Sequence, residues 1–124
     1  VDKKSRTGLV KAYKDILSAL NRGNSLIIFP ESVMSPDGLI KKFQKGGLSA
    51  AVSANAFIVP IYIYGATGVI KPGDMHINKN AHIEVYFCKP IEPSLLSEDD
   101  KGKIEQIVYD RLFEEEKKIL QSKI

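Results

Sequence analysis

The sequence has few of the residues on which several large classes of chemistry depend. It holds one cysteine, Cys88, in an apolar run, so no internal disulfide can close. That suits a reducing compartment or simple indifference to redox state. Only two histidines are present, His76 and His82, and with one distant cysteine they make no set of zinc ligands. There is no glycine-rich nucleotide loop, because Gly46-Gly47 lacks the flanking pattern. No Gly-x-Ser-x-Gly elbow surrounds Ser32, which argues against a serine nucleophile. Repeats, low-complexity tracts and linkers are also missing, so residues 1–124 are expected to act as one unit. The excess of 18 basic over 15 acidic residues, net +3, is too small to imply nucleic acid, and no aromatic–basic interleaving supports it. The chain opens on Val1 in the middle of a polar motif, and no signal peptide is expected ahead of the domain. The expectation is a start lost by truncation or processing.

Charge is absent altogether from residues 46–70, a stretch long enough to cross a bilayer. It is nevertheless broken by glycines, serines, Asn55 and Pro60. Its first half is rich in alanine and serine, its second in β-branched and aromatic residues, which predicts a buried helix followed by a buried strand.

Elsewhere the patterning is that of an ordinary globular core, with 44% apolar and 27% charged residues. Leu9, Tyr13, Ile16, Leu17 and Leu20 share one helical face, and Gly23 fits a stop, which predicts a helix over 7–22. Residues 25–29 read as a short buried strand, 36–38 as a turn and 47–55 as a small-residue helix. Residues 57–64 form a continuous apolar run, expected of a strand covered on both faces, with Pro60 demanding a bulge or an unpaired position. A turn at 71–73 precedes a half-buried strand in which Ile83, Val85 and Phe87 alternate with polar or aromatic residues. Ser97 with Asp100 caps a last helix whose apolar face is Ile104, Ile107, Val108 and Leu112. This order predicts an α/β fold, with helices packed on a mainly parallel or mixed sheet.

Ligands in open α/β sheets gather beyond the carboxyl ends of strands, and there the sequence places Phe29-Pro30-Glu31-Ser32-Val33-Met34-Ser35 and, soon after, Phe43-Gln44-Lys45-Gly46-Gly47. Glu31 can accept hydrogen bonds from a hydroxylated ligand, or it can simply cap a turn. Lys45 and the amides of Gly46 and Gly47 suit an anion at a helix start. Lys3, Lys4, Arg6, Lys11 and Lys14 form one basic cluster, and Lys41, Lys42 and Lys45 a second. They suit an anionic ligand or membrane surface, or equally a solvated helix face.

The stretch at 29–35 resembles the third motif of the phospholipid and glycerol acyltransferase family, Phe-Pro-Glu-Gly-Thr-Arg-Ser, which also precedes a Phe-Lys-x-Gly segment. Val1-Asp2-Lys3 is similar to the end of the second motif, Phe-Ile-Asp-Arg. Ile58-Val59-Pro60-Ile61 resembles the fourth, and Val85-Tyr86-Phe87-Cys88-Lys89-Pro90-Ile91 a strand ending in Gly-x-Pro-Ile. The resemblance, to the 1-acyl-glycerol-3-phosphate acyltransferase type, spans nearly the whole chain. It implies that residues 1–124 are the C-terminal part of a single acyltransferase domain, an incomplete glycerol-3-phosphate-acyltransferase-like fold.

The family moves a fatty acyl group from acyl-CoA or acyl carrier protein to a glycerolipid hydroxyl. The thioester is a co-substrate, and no further cofactor or metal is implied. The resemblance also implies peripheral attachment to the cytoplasmic face of a membrane, no nucleic-acid partner, and reliance on a missing N-terminal half. The family's catalytic histidine, with an aspartate five positions on, is expected before Val1. Ala81 stands five after His76 and Phe87 five after His82, so neither histidine substitutes. No catalytic residue is therefore expected in this chain, which alone should not turn over. Substrate binding is expected of Lys3, Arg6, Glu31, Ser32 and Lys45. The family's Gly-Thr-Arg is Ser32-Val33-Met34 here, so its phosphate-holding arginine is absent, and Lys3 replaces a second arginine without its bidentate fork. That departure keeps open a rival reading, a non-catalytic α/β module that binds an anionic lipid headgroup or a protein partner.

Overall fold

A computed structural model describes residues 3–31, 37–44, 46–70 and 73–124, with residues 3–6 described as helical backbone alone. Helix α1 (Lys3–Asn21) starts earlier than its apolar pattern suggested. Tyr13, Ile16, Leu17 and Leu20 lie on its half-buried face, whereas Leu9 is exposed. Gly23, at φ 88°, ends it: the Gly23 amide donates to the Leu20 carbonyl and the Asn24 amide to the Ala19 carbonyl. This pair of bonds satisfies the last helical carbonyls and needs a left-handed residue, which glycine supplies without strain. Helix α2 (Gly47–Ser53) ends the same way, with Asn55 at φ 53° in the glycine's place.

The strand expected over 25–29 is not formed. A strand persists only where its amides and carbonyls find a ladder, and no described segment lies alongside to provide one. Ile27 and Phe29 are 81% and 79% exposed. Ile28 instead meets α2, where a Cβ on Gly47 would stand 3.1 Å from the Ile28 Cδ1. The glycine at 47 thus sets how closely α2 approaches.

The uncharged stretch 46–70 divides as expected into α2 and then β1 (Ile61–Tyr64). No helix among the described residues is long and apolar enough to cross a membrane. Strand β1 pairs antiparallel with β2 (Glu84–Phe87), Ile61 opposite Phe87 and Ile63 opposite Val85. Where a mainly parallel or mixed sheet was expected, this antiparallel pair is the one ladder among the described residues. An isolated bridge joins Ile58 to Ile91. Between bridge and ladder, Val59 and Pro60 face Cys88, Lys89 and Pro90, so the second strand carries the extra residue of a bulge. The Cys88 amide donates to the Pro60 carbonyl at 2.9 Å, while proline, lacking an amide, donates nothing in return. Pro60 has the interruption its chemistry requires.

The run over 57–64 is covered on one face only. Ile58, Pro60 and Tyr62 are buried, while Val59, Ile61 and Ile63 are exposed beside Val85 and Phe87.

The last helix is two helices. The Ser97 hydroxyl accepts from the Asp100 amide and opens α3 (Glu98–Lys101), which stops at Gly102, and α4 (Ile104–Ser122) follows. Helix α4 buries Ile104, Val108, Leu112, Glu116 and Ile119 against β1 and α2. The four aliphatic side chains among these, with Phe43, Leu48, Ile58, Tyr62 and Ile91, make the core. Fully burying such residues contributes about 1.5–3 kcal/mol each. The result is an α/β arrangement, with α4 on the inner face of a small sheet, α2 against α4, and α1 outside α2.

Candidate functional site

Beyond α1 the chain runs to Pro30 and Glu31, departs, and returns at Phe43 and Gln44. The Gln44 amide donates to the Pro30 carbonyl at 2.7 Å, and Glu31 and Phe43 form an antiparallel bridge. Those bonds close the base of a polar loop that carries the family-like motif. Phe43 is buried, its ring edge-on to Tyr109 of α4 at 5.5 Å.

Three consecutive amides on the returning limb each donate to a different carboxylate. Leu39 donates to Asp37 Oδ1 at 3.1 Å, a local turn next to Gly38 at φ 76°. Ile40 donates to Glu116 Oε2 at 2.9 Å, and Lys41 to Glu31 Oε2 at 2.9 Å. The half-buried Glu31 carboxylate therefore caps the loop, the plainer of the two roles open to it, and can still accept from a ligand with its remaining lone pairs.

At the end of the loop Gly46, at φ 121°, leads into α2, and its amide donates to Glu105 Oε1 at 3.3 Å. The Ser49 hydroxyl donates to the same oxygen at 3.0 Å. The start of α2 thus already has a carboxylate from α4 as its partner.

Of the expected substrate-binding residues, Glu31 is placed at the base of the loop, beside its returning limb. Lys3 and Arg6 lie in the first turns of α1, with side chains outside the described residues, as are Ser32 and Lys45 entirely. In the second basic cluster, Lys41 Nζ pairs with Asp37 Oδ2 at 2.9 Å and Lys42 is exposed. An ion pair this open to water contributes little.

Both histidines are on the surface. His76 Nδ1 lies 3.0 Å from Asp74 Oδ1, and His82 Nε2 lies 4.0 Å from Glu84 Oε1. The His76 backbone amide, and then its ring, hold the Asp74 carboxyl below the usual range. Burial pushes the Cys88 thiol up, away from the reactive thiolate.

Two carboxylates that matter here went unread in the sequence, Glu105 and Glu116. Glu116 had a signal, since it continues the four-residue spacing of Ile104, Val108 and Leu112 and so falls on the buried stripe. It is 4% exposed, and burial pushes its carboxyl above the usual range, with the charges of Glu31 and Asp37 adding to the effect. The Ile40 amide and Lys41 pull the other way. Glu105 had no such signal. Its neighbours in space are 59 and 56 residues away in sequence.

Two open clefts flank the loop. One, of about 160 Å³, is mostly apolar and lies between α1 and α2, with Tyr13, Ile16, Phe29, Pro30 and Gly47 on its walls. The other, of about 420 Å³, lies beyond the carboxyl end of β1, among Asp37, Tyr62, Tyr64, Thr67 and His82.

Against this geometry the likenesses to known proteins are consistent with one another. The 1-acyl-sn-glycerol-3-phosphate acyltransferase of Arabidopsis thaliana, described as chloroplastic, is 31% identical over 85 residues, covering 68% of this chain and 24% of that one. The chloroplastic enzyme of the same name from Brassica napus is 30% identical over 98 residues, covering 77% of this chain and 28% of its own. The chain therefore spans about a quarter of the length of these relatives. In fold it is similar to the crystal structure of the 1-acyl-sn-glycerophosphate acyltransferase PlsC from Thermotoga maritima, with a TM-score of 0.70 over 86% of this chain and 43% of that one, at 22% identity. That likeness supports the expected α/β class and an incomplete form of the acyltransferase fold. The Acyltransferase family model matches residues 1–64, from α1 through the loop of Glu31 to the end of β1, and the chain belongs to the acyltransferase family.

Proposed function

We propose that this chain is the C-terminal part of a single acyltransferase domain. The parent protein moves a fatty acyl group from acyl-CoA or acyl carrier protein to the hydroxyl of a lysophospholipid or related glycerolipid, in phospholipid biosynthesis. The observation that carries the reading is the family match over residues 1–64, which includes the whole loop around Glu31. In the transfer, the acceptor oxygen attacks the thioester carbonyl, the carbon–sulfur bond breaks, and the thiol leaves with the proton the acceptor gave up. A histidine–aspartate pair contributed from before Val1 would take that proton. The role left to this chain is to hold substrate through Lys3, Arg6, Glu31, Ser32 and Lys45. The protein would work peripherally at the cytoplasmic face of a membrane, where the basic residues of α1 suit anionic headgroups.

The test uses the full parent polypeptide with acyl-CoA or acyl carrier protein as donor and lysophosphatidic acid or other lysophospholipids as acceptor. Thiol release coupled to new ester is expected. Glu31→Gln should lower kcat/KM by roughly tenfold, the effect of losing a hydrogen bond to a charged group. The isolated 124-residue chain should show no turnover. One observation favours a second reading: Ser32-Val33-Met34 replaces the family's Gly-Thr-Arg. If the parent transfers no acyl group to any acceptor yet sediments with anionic vesicles, the chain belongs to a lipid-binding module and the enzyme reading fails.

A further inference from the structure

Glu116 is an anomaly in α4. Every other buried residue of that helix is aliphatic, and a carboxylate in such a stripe is costly unless something donates to it. The donor is the Ile40 amide, on the loop that carries the family motif and 76 residues away in sequence. The flanking amides are held by residues of the loop or its base, Leu39 by Asp37 and Lys41 by Glu31. Among the bonds between described residues, the Ile40 amide is the one of the three held from outside the loop. Lower on the same helix Glu105 takes the Gly46 amide and the Ser49 hydroxyl, and Tyr109 takes the edge of Phe43. Helix α4 thus grips the loop's returning limb at Ile40 and Phe43 and the start of α2, yet it lies wholly outside the family-matched residues.

We propose that Glu116 is a positioning residue for substrate binding: it fixes the backbone at Ile40, and through the neighbouring Lys41 amide the orientation of the Glu31 carboxylate, and so sets affinity for the lipid acceptor. The inference rests on the acyltransferase reading above. Because Glu31 is the group expected to accept from a hydroxylated substrate, the loop's order bears on the acceptor first. Loss of the anchor then shows in the acceptor KM, not in the donor KM or in kcat.

Two variants of the parent protein test it. Glu116→Leu fills the buried volume with a side chain suited to the stripe but accepts nothing, while Glu116→Gln keeps an acceptor oxygen for Ile40. The expected result is an acceptor KM raised roughly tenfold or more in Glu116→Leu. Donor KM and kcat should stay within about twofold, and Glu116→Gln should return the acceptor KM most of the way. Hydrogen exchange gives an independent reading: protection at Ile40 and Lys41 is lost in Glu116→Leu and kept in Glu116→Gln, with the core of α4 unchanged. An unaltered acceptor KM in a folded Glu116→Leu protein overturns the proposal. So does an equal rise in both variants, or loss of exchange protection across the whole chain. If the wild-type parent shows no transfer, the acyltransferase reading fails and the affinity claim falls with it. The exchange experiment then still decides whether Glu116 orders the loop.

Discussion

Glu116 is also where the protein's response to pH should be concentrated. Its carboxyl is buried on α4 and faces Glu31, Asp37 and Lys41 from the loop and Tyr62 from β1. Burial, and then the nearby negative charges, raise its folded-state pKa, whereas in the unfolded chain it returns to the ordinary glutamate value of about 4.3. The folded state therefore holds a proton that the unfolded state has released, and over that interval stability falls as pH rises. Urea unfolding followed from pH 4 upward should show the wild type losing stability relative to Glu116→Gln, which cannot titrate. Parallel curves for the two proteins would show that Glu116 ionises as freely folded as unfolded. The sequence made Glu31 legible because it sits in a named motif. It hid Glu116 because nothing local distinguishes the third acidic residue of Glu114-Glu115-Glu116 from a solvated run. Only the register with Ile104, Val108 and Leu112 turns it inward, and that reading stops at Leu112 if an apolar face is assumed to be wholly apolar.

Among the elements, the ones read correctly are those whose cause is local. The stop of α1 at Gly23, the cap at Ser97 and the break at Pro60 each depend on one residue's backbone chemistry and its immediate neighbours. The strand expected over 25–29 failed because a strand is a property of two segments, and apolar composition cannot supply the second. The same limit explains the antiparallel ladder, since Ile61 and Phe87 meet through a return over 65–83 that leaves no periodic trace. Helix α4 contributes the largest share of the buried core among these elements. Ile104 is fully buried at its start, where it meets the rest of the core. Ile104→Ala should cost about 2–5 kcal/mol, from lost transfer energy and the cavity left behind. Chemical denaturation of the protein and its variant at one pH measures this. A loss below about 1 kcal/mol would mean that the helix shifts to close the gap and that the core is looser than its burial indicates. Ser97→Ala removes only a cap and should cost about 1 kcal/mol in the same experiment.

For the molecule as a whole, the unequal faces of the sheet decide behaviour in solution. Val59, Ile61, Ile63, Val85 and Phe87 form a continuous exposed apolar surface, with Phe87 72% exposed. Single exposed aliphatics are common, but a contiguous patch on a sheet marks a surface that something covers. The isolated 124-residue chain should therefore self-associate as its concentration rises. Size-exclusion chromatography with light scattering should show mass increasing with loading, and Ile61→Lys with Phe87→Glu, an opposite-charge pair across the ladder, should restore a monomer without lowering the melting temperature. A sharp monomer of the unaltered chain at high concentration would mean that the patch is tolerated bare.

The grip of α4 on the loop has a further consequence for the protein during its synthesis. Residues 1–64, the part that carries the family signature, leave the ribosome before α4, and Ile40 waits for a partner 76 positions later. At about 5–20 residues per second, that is a delay of roughly 4–15 seconds in which the nascent loop has its own turn and its base but no anchor. A ribosome that stalls or terminates between the end of β1 and α4 leaves a product whose signature is intact and whose loop is unheld. A premature stop codon anywhere between the end of β1 and Glu116 should then be as damaging as one within the motif, although it removes none of the residues by which the family is recognised.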